Sequence, residues 1–208
     1  APKVKSLLIQ TAIYASDYFV YLHAGVVSDG TRCMLLPGVA GSGKSCLTAG
    51  LVHDGFQYFS DEVALLEHQT LAVKPFPIAI GLKTGAWELL APYFPQLPGL
   101  DIHHREDGRK VRYLPPPKVA PGTPPQDSQL VSHLIFPHYH ADATLRLEPV
   151  QKALALQTLM DDCVALPGKL TRDSVEQLVN WLEMTGCYKL HYRDLPSAVK
   201  LLRGLGTA

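Results

Sequence analysis

β-Branched and aromatic positions dominate "YFVYLHAGVV", Tyr18 to Val27, and predict a strand there. The polar "SDG" that follows is a hairpin-type turn into the apolar "TRCMLLPG", a second strand. Beyond a glycine-rich loop, "SCLTAGLVHDG" carries apolar positions at helical spacing. It stops at Gly55, where a left-handed residue ends a helix at little cost. "FQYFSDEVALLE" then reads as a strand. The order hairpin, loop, helix, strand is the core of a nucleotide-binding α/β unit.

The pattern loosens downstream. Pro75 and Pro77 exclude a helix at the start of "VKPFPIAIGLKTGAWELLAPYFPQL" and permit one from about Ala86. Residues 103–128 combine charges, an "EDG" turn and a cluster of prolines, which predicts a mobile excursion of hairpin and extended loop on the acceptor side. "LVSHLIF" returns to strand, and Pro149 stands where the first turn of a helix over "VQKALALQTLM" tolerates it. "TRDSVEQLVNWLEMTG" predicts a helix capped by Thr171 or Asp173 and ended by Gly186. Its apolar stripe is Val175, Leu178, Val179 and Leu182, with Trp181 as core. The tail reads as one strand and one short helix, and no internal repeat is visible.

Length changes this picture little: 208 residues fit a single domain over 1–208. Charge excludes more. Lysine plus arginine and aspartate plus glutamate both number 19, so no global pull towards nucleic acid or an anionic membrane is expected. Cys33, Cys46, Cys163 and Cys187 form no CxxC pair, which suits reduced thiols and a cytoplasmic location rather than a disulfide framework or zinc site. No apolar run reaches the length of a membrane span. The chain opens on Ala1 and passes at once into "SLLIQTAIYASDYFVYL", as a chain with residues removed upstream would; a homo-oligomer is compatible with all of this.

The loop GVAGSGKS, Gly38 to Ser45, satisfies G-x-x-x-x-G-K-[ST] between a strand-like and a helix-like segment. A phosphate chain needs several backbone N–H groups pointing inward, and glycines let the chain turn back without filling the cradle. Gly38, Val39, Ala40, Gly41, Ser42, Gly43, Lys44, Ser45 and Cys46 are therefore the expected nucleotide-binding residues. Lys44 reaches the β and γ phosphates, and the Ser45 hydroxyl joins the shell of Mg2+. Lys83, in "GLKTG", is a further candidate for reaching a phosphate across the cleft.

Asp61 and Glu62 interrupt an apolar run, where unpaired charges are costly. Neighbouring side chains on a strand point to opposite faces, so the two acids have separate jobs. One organises magnesium and the other is a general base near the acceptor.

These features resemble the catalytic domain of the HPr kinase family, related in fold to phosphoenolpyruvate carboxykinase. "LHAGVVSDGTRCMLLPG" is similar to that family's histidine-bearing hairpin, GVAGSGKS to its G-x-x-G-x-G-K-S loop, and "GFQYFSDEVAL" stands where the family has adjacent aspartates. The likeness covers Tyr21 to about Glu67. "KPFPIAIGLKTG" and "YKLHYRDLPSAVKLL" resemble HPr-kinase-related proteins of unknown acceptor more than true HPr kinases. The resemblance implies an α/β P-loop domain with a mixed β-sheet and flanking helices. It places His23 close to the phosphates and acids, Asp61 as the base that deprotonates the acceptor hydroxyl, and Glu62 on the metal.

The expected activity is thus Mg2+-dependent transfer of the γ-phosphoryl group of ATP to a hydroxyl, of a peptide or protein serine or of a small molecule. GTP and pyrophosphate stay open as donors, because a phosphate loop does not read bases. The rival is a nucleotide-binding switch or ATPase in which an acid orients water. His103, His104, His133, His138 and His140 lack the spacing of a metal motif and are expected to be solvated.

Overall fold

The computed structural model describes residues 2–118, 127–162, 164–165 and 171–206. Helix α1 (Pro2–Ala15) comes first. The strand expected over Tyr18 to Val27 is two strands, β1 (Val20–Leu22) and β2 (Ala24–Ser28), broken at His23. β3 (Cys33–Pro37) closes the hairpin, with Ala24 opposite Pro37 and Ser28 opposite Cys33. After the glycine loop comes α2 (Lys44–His53), and Gly55 takes the left-handed φ of 103° that ends it. The next expected strand is again two, β4 (Gln57–Ser60) and β5 (Ala64–Leu66), with the acidic pair in the break.

Then follow β6 (Val73–Lys74), β7 (Ile80–Lys83), α3 (Thr84–Leu90), β8 (His103–His104) and β9 (Lys110–Leu114). The second half holds β10 (Val131–Tyr139), β11 (Arg146–Pro149), α4 (Lys152–Asp162) and β12 (Val164–Ala165). α5 (Arg172–Glu183), β13 (Gly186–Tyr192) and α6 (Leu195–Arg203) complete it.

The fold is mixed α/β. Six strands form the main sheet in the order β11-β13-β10-β3-β2-β4. β10 is parallel to β13 and β3, and the remaining pairs are antiparallel. A four-stranded antiparallel sheet runs β12-β1-β5-β6, and a three-stranded one runs β7-β9-β8. Side chains alternate across the main sheet. Val26, Leu35 and Leu134 enter one core with the four-stranded sheet, α4 and α5. Val27, Met34, Leu36 and Ile135 enter a second core with α2, α3 and α6. With both faces covered, β2 and β3 are buried at every position. α2 lies so close to β2 that a Cβ on Gly25 would collide with Thr48 Oγ1.

Several expectations need correction. α1 was not expected from its pattern. Pro149 ends β11 instead of opening a helix, and it can do so because β11 is an edge strand, where a missing N–H breaks no ladder. Thr171 is the cap of α5, accepting from Ser174 N at 3.1 Å, but Gly186 begins β13 and Val179 is 39% exposed. The buried face of α5 is Leu178, Trp181 and Leu182. His133 is buried and stacked on Tyr188, not solvated. The excursion begins as the β8–β9 hairpin, while residues 119–126 and Cys163 lie outside the described residues. Cys33, Cys46 and Cys187 are free thiols, and among the described residues no helix is long and apolar enough to cross a membrane.

Candidate functional site

The two strand breaks stand side by side, because β1 pairs with β5 and β2 with β4. At each the chain leaves one sheet for the other. Backbone groups there are released from the ladders and become available to side chains. His23 Nδ1 donates to the Glu62 carbonyl at 3.2 Å, and Lys44 Nζ donates to His23 Nε2 at 2.6 Å. An imidazole that accepts at one nitrogen and donates at the other is neutral. Burial, then the Lys44 charge, lower the His23 pKa against the pull of Glu62, which keeps the ring neutral. The fold thus brings His23, the loop lysine and the acidic pair together.

The two acids differ in environment. Asp61 is wholly buried, and neither carboxylate oxygen has a hydrogen-bond partner; the Ser45 hydroxyl sits close enough to favour the ionised form without a well-formed bond. Burial pushes its pKa up from 3.8 to about 6, the Lys44 charge opposing and that of Glu62 adding to the rise. Glu62 faces a cavity of about 920 Å³. Burial raises its pKa, but the Lys5 ammonium at 3.0 Å, with His23 and Lys44, outweighs that and holds it below the usual value.

The same cavity is lined by Val39 to Gly41, Gly43 to Cys46, His23 and Lys83; Gly38, Ser42 and Asp61 do not reach its wall. Ser42 instead braces the loop, accepting from Tyr139 N at 3.0 Å. Gly43 caps α2 with φ 93°, and its carbonyl accepts from the Tyr192 hydroxyl at 3.0 Å. A Cβ there would run into that hydroxyl. Gly43→Ala is accordingly expected to cost about 1–3 kcal/mol in denaturant unfolding, through strain and collision together. Cys46 contributes backbone and a protonated thiol, pushed up to about 11 by burial and by Asp61.

Sequence reasoning missed five contributors to this cavity. Lys5, from α1, bonds the Ala79 carbonyl at 2.9 Å and lies 5.0 Å from the Tyr113 ring centre, besides pairing with Glu62. Tyr139 and Tyr192 meet edge-on beside Gly43, and Arg105 and Arg109 reach in from the β8–β9 turn. A lone lysine and scattered tyrosines carry no local signal; the arginines flank a turn that was legible as "EDG".

The Asp61 environment has a measurable consequence. A carboxyl whose pKa is raised on folding costs nothing where it is protonated in both states, below about pH 4. The cost grows as pH rises to about 6 and is constant above. At about 1.4 kcal/mol per unit it reaches about 3 kcal/mol. Asp61→Asn should therefore be more stable than the ligand-free wild type above pH 6, with the gap closing towards pH 4. Denaturant midpoints of both proteins across that range check this; a gap independent of pH would contradict it.

The sequence matches no protein-family model and no curated protein. Among solved structures the chain has a distant likeness to the Hpr(Ser) kinase/phosphatase from Coxiella burnetii, at 14% identity and a TM-score of 0.36, covering 88% of this chain and 93% of that one.

Proposed function

We propose that this protein is a magnesium-dependent kinase that transfers the γ-phosphoryl group of ATP, or of another nucleoside triphosphate, to a hydroxyl. The observation that carries this reading is the buried, unpartnered carboxylate of Asp61 set behind Lys44 and Ser45 at the start of α2. An orphaned carboxylate is costly to keep, and a cation brought in with a polyphosphate relieves that cost. Among the described residues no cluster of three or more His, Cys, Asp or Glu side chains could hold a metal alone. Magnesium does not need one, since it takes one or two carboxylates and completes its shell with phosphate oxygens and water. Ser45 and Asp61 fit that requirement, with Glu62 close by. The bound ion would neutralise charge on the phosphates.

The chain's own residues do the rest. Amides of the Gly38–Ser45 loop hold the phosphates at the positive end of α2. Lys44 turns from His23 to the γ-phosphate, which leaves the unprotonated Nε2 of neutral His23 able to accept from another donor without adding charge. Glu62, ionised and facing the cavity, accepts the proton of the acceptor hydroxyl as that oxygen bonds to the γ-phosphorus. The bond to the bridging oxygen breaks and the diphosphate leaves. The family resemblance implies the opposite division, with Asp61 as base. Exposure favours this one, since Glu62 lines the cavity and Asp61 does not.

Incubation with γ-labelled ATP, magnesium and a cell extract tests the reading. Label should appear on a hydroxyl compound. Label found only as inorganic phosphate would make the protein an ATPase, and label retained in ATP would remove the activity altogether.

A further inference from the structure

We propose that Lys83, Arg105 and Arg109 form a second anion subsite in the cavity, and that the acceptor is a small hydroxyl compound carrying its own phosphate or carboxylate. The acceptor class rests on the kinase reading; the subsite does not.

Topology brings the three cations together. β9 pairs with β7 on one side and β8 on the other, and Val111 stands opposite both Lys83 and His103. The turn leaving β8 therefore lies beside the end of β7. That turn is held by Arg105 N donating to Arg109 O at 2.9 Å, Gly108 N to Arg105 O at 3.1 Å, and Arg109 N to Asp107 Oδ1 at 3.1 Å. Both arginines consequently start from adjacent backbone and line the cavity with Lys83.

The charges there are poorly balanced. Asp107 is shared by Arg105 at 3.7 Å and Arg109 at 3.8 Å, beyond hydrogen-bond contact, and Glu106 is taken by Lys3 at 3.0 Å. The Lys83 ammonium has no hydrogen-bond or ion-pair partner among the described residues. Burial, then the Arg109 and Arg105 charges, lower its pKa. Three cations held close against their mutual repulsion are stabilised by an anion, and two guanidiniums offer the paired donors that phosphate and carboxylate accept. The glycine loop already has its own cation in Lys44, so these three need not serve the nucleotide. Glu62 stands against the same face of β7, its Oε1 3.6 Å from where a Cβ on Gly81 would lie, two residues before Lys83, so the subsite is on the proposed base's side of that strand. An acid group bound there would leave its neighbouring hydroxyl beside Glu62. The cavity, about 920 Å³, is at the upper end for one ligand and suits a nucleotide plus a small acceptor.

The test titrates inorganic phosphate calorimetrically into protein saturated with magnesium and a non-hydrolysable ATP analogue. One phosphate should bind. Arg105→Gln with Arg109→Gln should weaken it about tenfold or more while analogue affinity stays within about twofold, and Lys83→Arg should retain it. Unchanged phosphate binding in the double variant, or a loss that falls on the analogue instead, would overturn the subsite. Should the analogue not bind wild type at all, the kinase reading fails and the same titration without nucleotide still decides. Weakening by the arginine changes but not by Lys44→Ala supports the subsite; weakening by Lys44→Ala alone sinks it. For the acceptor class, glycerol is offered with γ-labelled ATP against glycerol phosphate and glyceric acid. The acidic compounds should be preferred and the double variant should erase the preference, whereas equal use of all three would refute the class.

Discussion

Lys44→Ala should lower nucleotide affinity by about 10- to 100-fold and turnover by about a thousandfold, with the fold retained. The ammonium is the only part lost that a phosphate would meet, and the stem lies at the first turn of α2, where an alanine is well tolerated. The change also leaves His23 Nε2 without its donor and removes one of the charges that keep its pKa low. Imidazole titration by NMR should then move upward, an effect that reports the lost contact independently of activity. Nucleotide affinity equal to that of wild type would take away the foundation of the kinase reading.

The acidic pair carries the second large effect. Glu62→Gln should reduce transfer by about two to four orders of magnitude, at every magnesium concentration, since a carboxamide cannot take a proton. Asp61→Asn should instead raise the magnesium concentration needed for nucleotide binding and recover part of its turnover when magnesium is abundant. Magnesium titrations of affinity and turnover on both variants separate the roles. Rescue of Glu62→Gln and not Asp61→Asn would restore the division that the family resemblance implies. If neither variant loses turnover, the pair is not the catalytic centre.

Much of the scaffold was legible because local rules and tertiary packing agree in it. The "SDG" hairpin, the helix ended by Gly55 and the Thr171 cap are short-range signals, and packing left each in place. The loop was legible for the same reason, its glycines answering to backbone geometry. The breaks at His23 and at Asp61–Glu62 were not. The residues on either side are equally apolar, because both sheets are buried, and nothing in a period-two pattern says that a strand has changed sheets. α1 escaped because its apolar residues fall on no single stripe: Ile9 and Ile13 pack inward while Leu7, Leu8 and Tyr14 stay exposed. For the site, residue types were readable but environments were not. That Asp61 lies buried behind Lys44 and Ser45 while Glu62 stands on the cavity wall depends on how two sheets meet, as does the arrival of Lys5 from α1.

The paired breaks also set which changes of chain length the protein can absorb. One residue inserted between Val20 and Val27, or between Tyr58 and Leu66, would leave one sheet in register and reverse inside and outside along the other strand. It would also carry His23 or the acids away from Lys44. Spacing across each junction is therefore as much a requirement of the site as the side chains are. The turn at Arg105–Arg109 carries no such constraint: among the described residues its backbone is hydrogen-bonded only to itself, at the end of a two-residue pairing, and the Lys3–Glu106 ion pair that leaves it is exposed. Lengthening or recasting that turn would leave the rest of the cavity standing, which makes it the part of this protein best suited to acquiring a different acceptor by insertion.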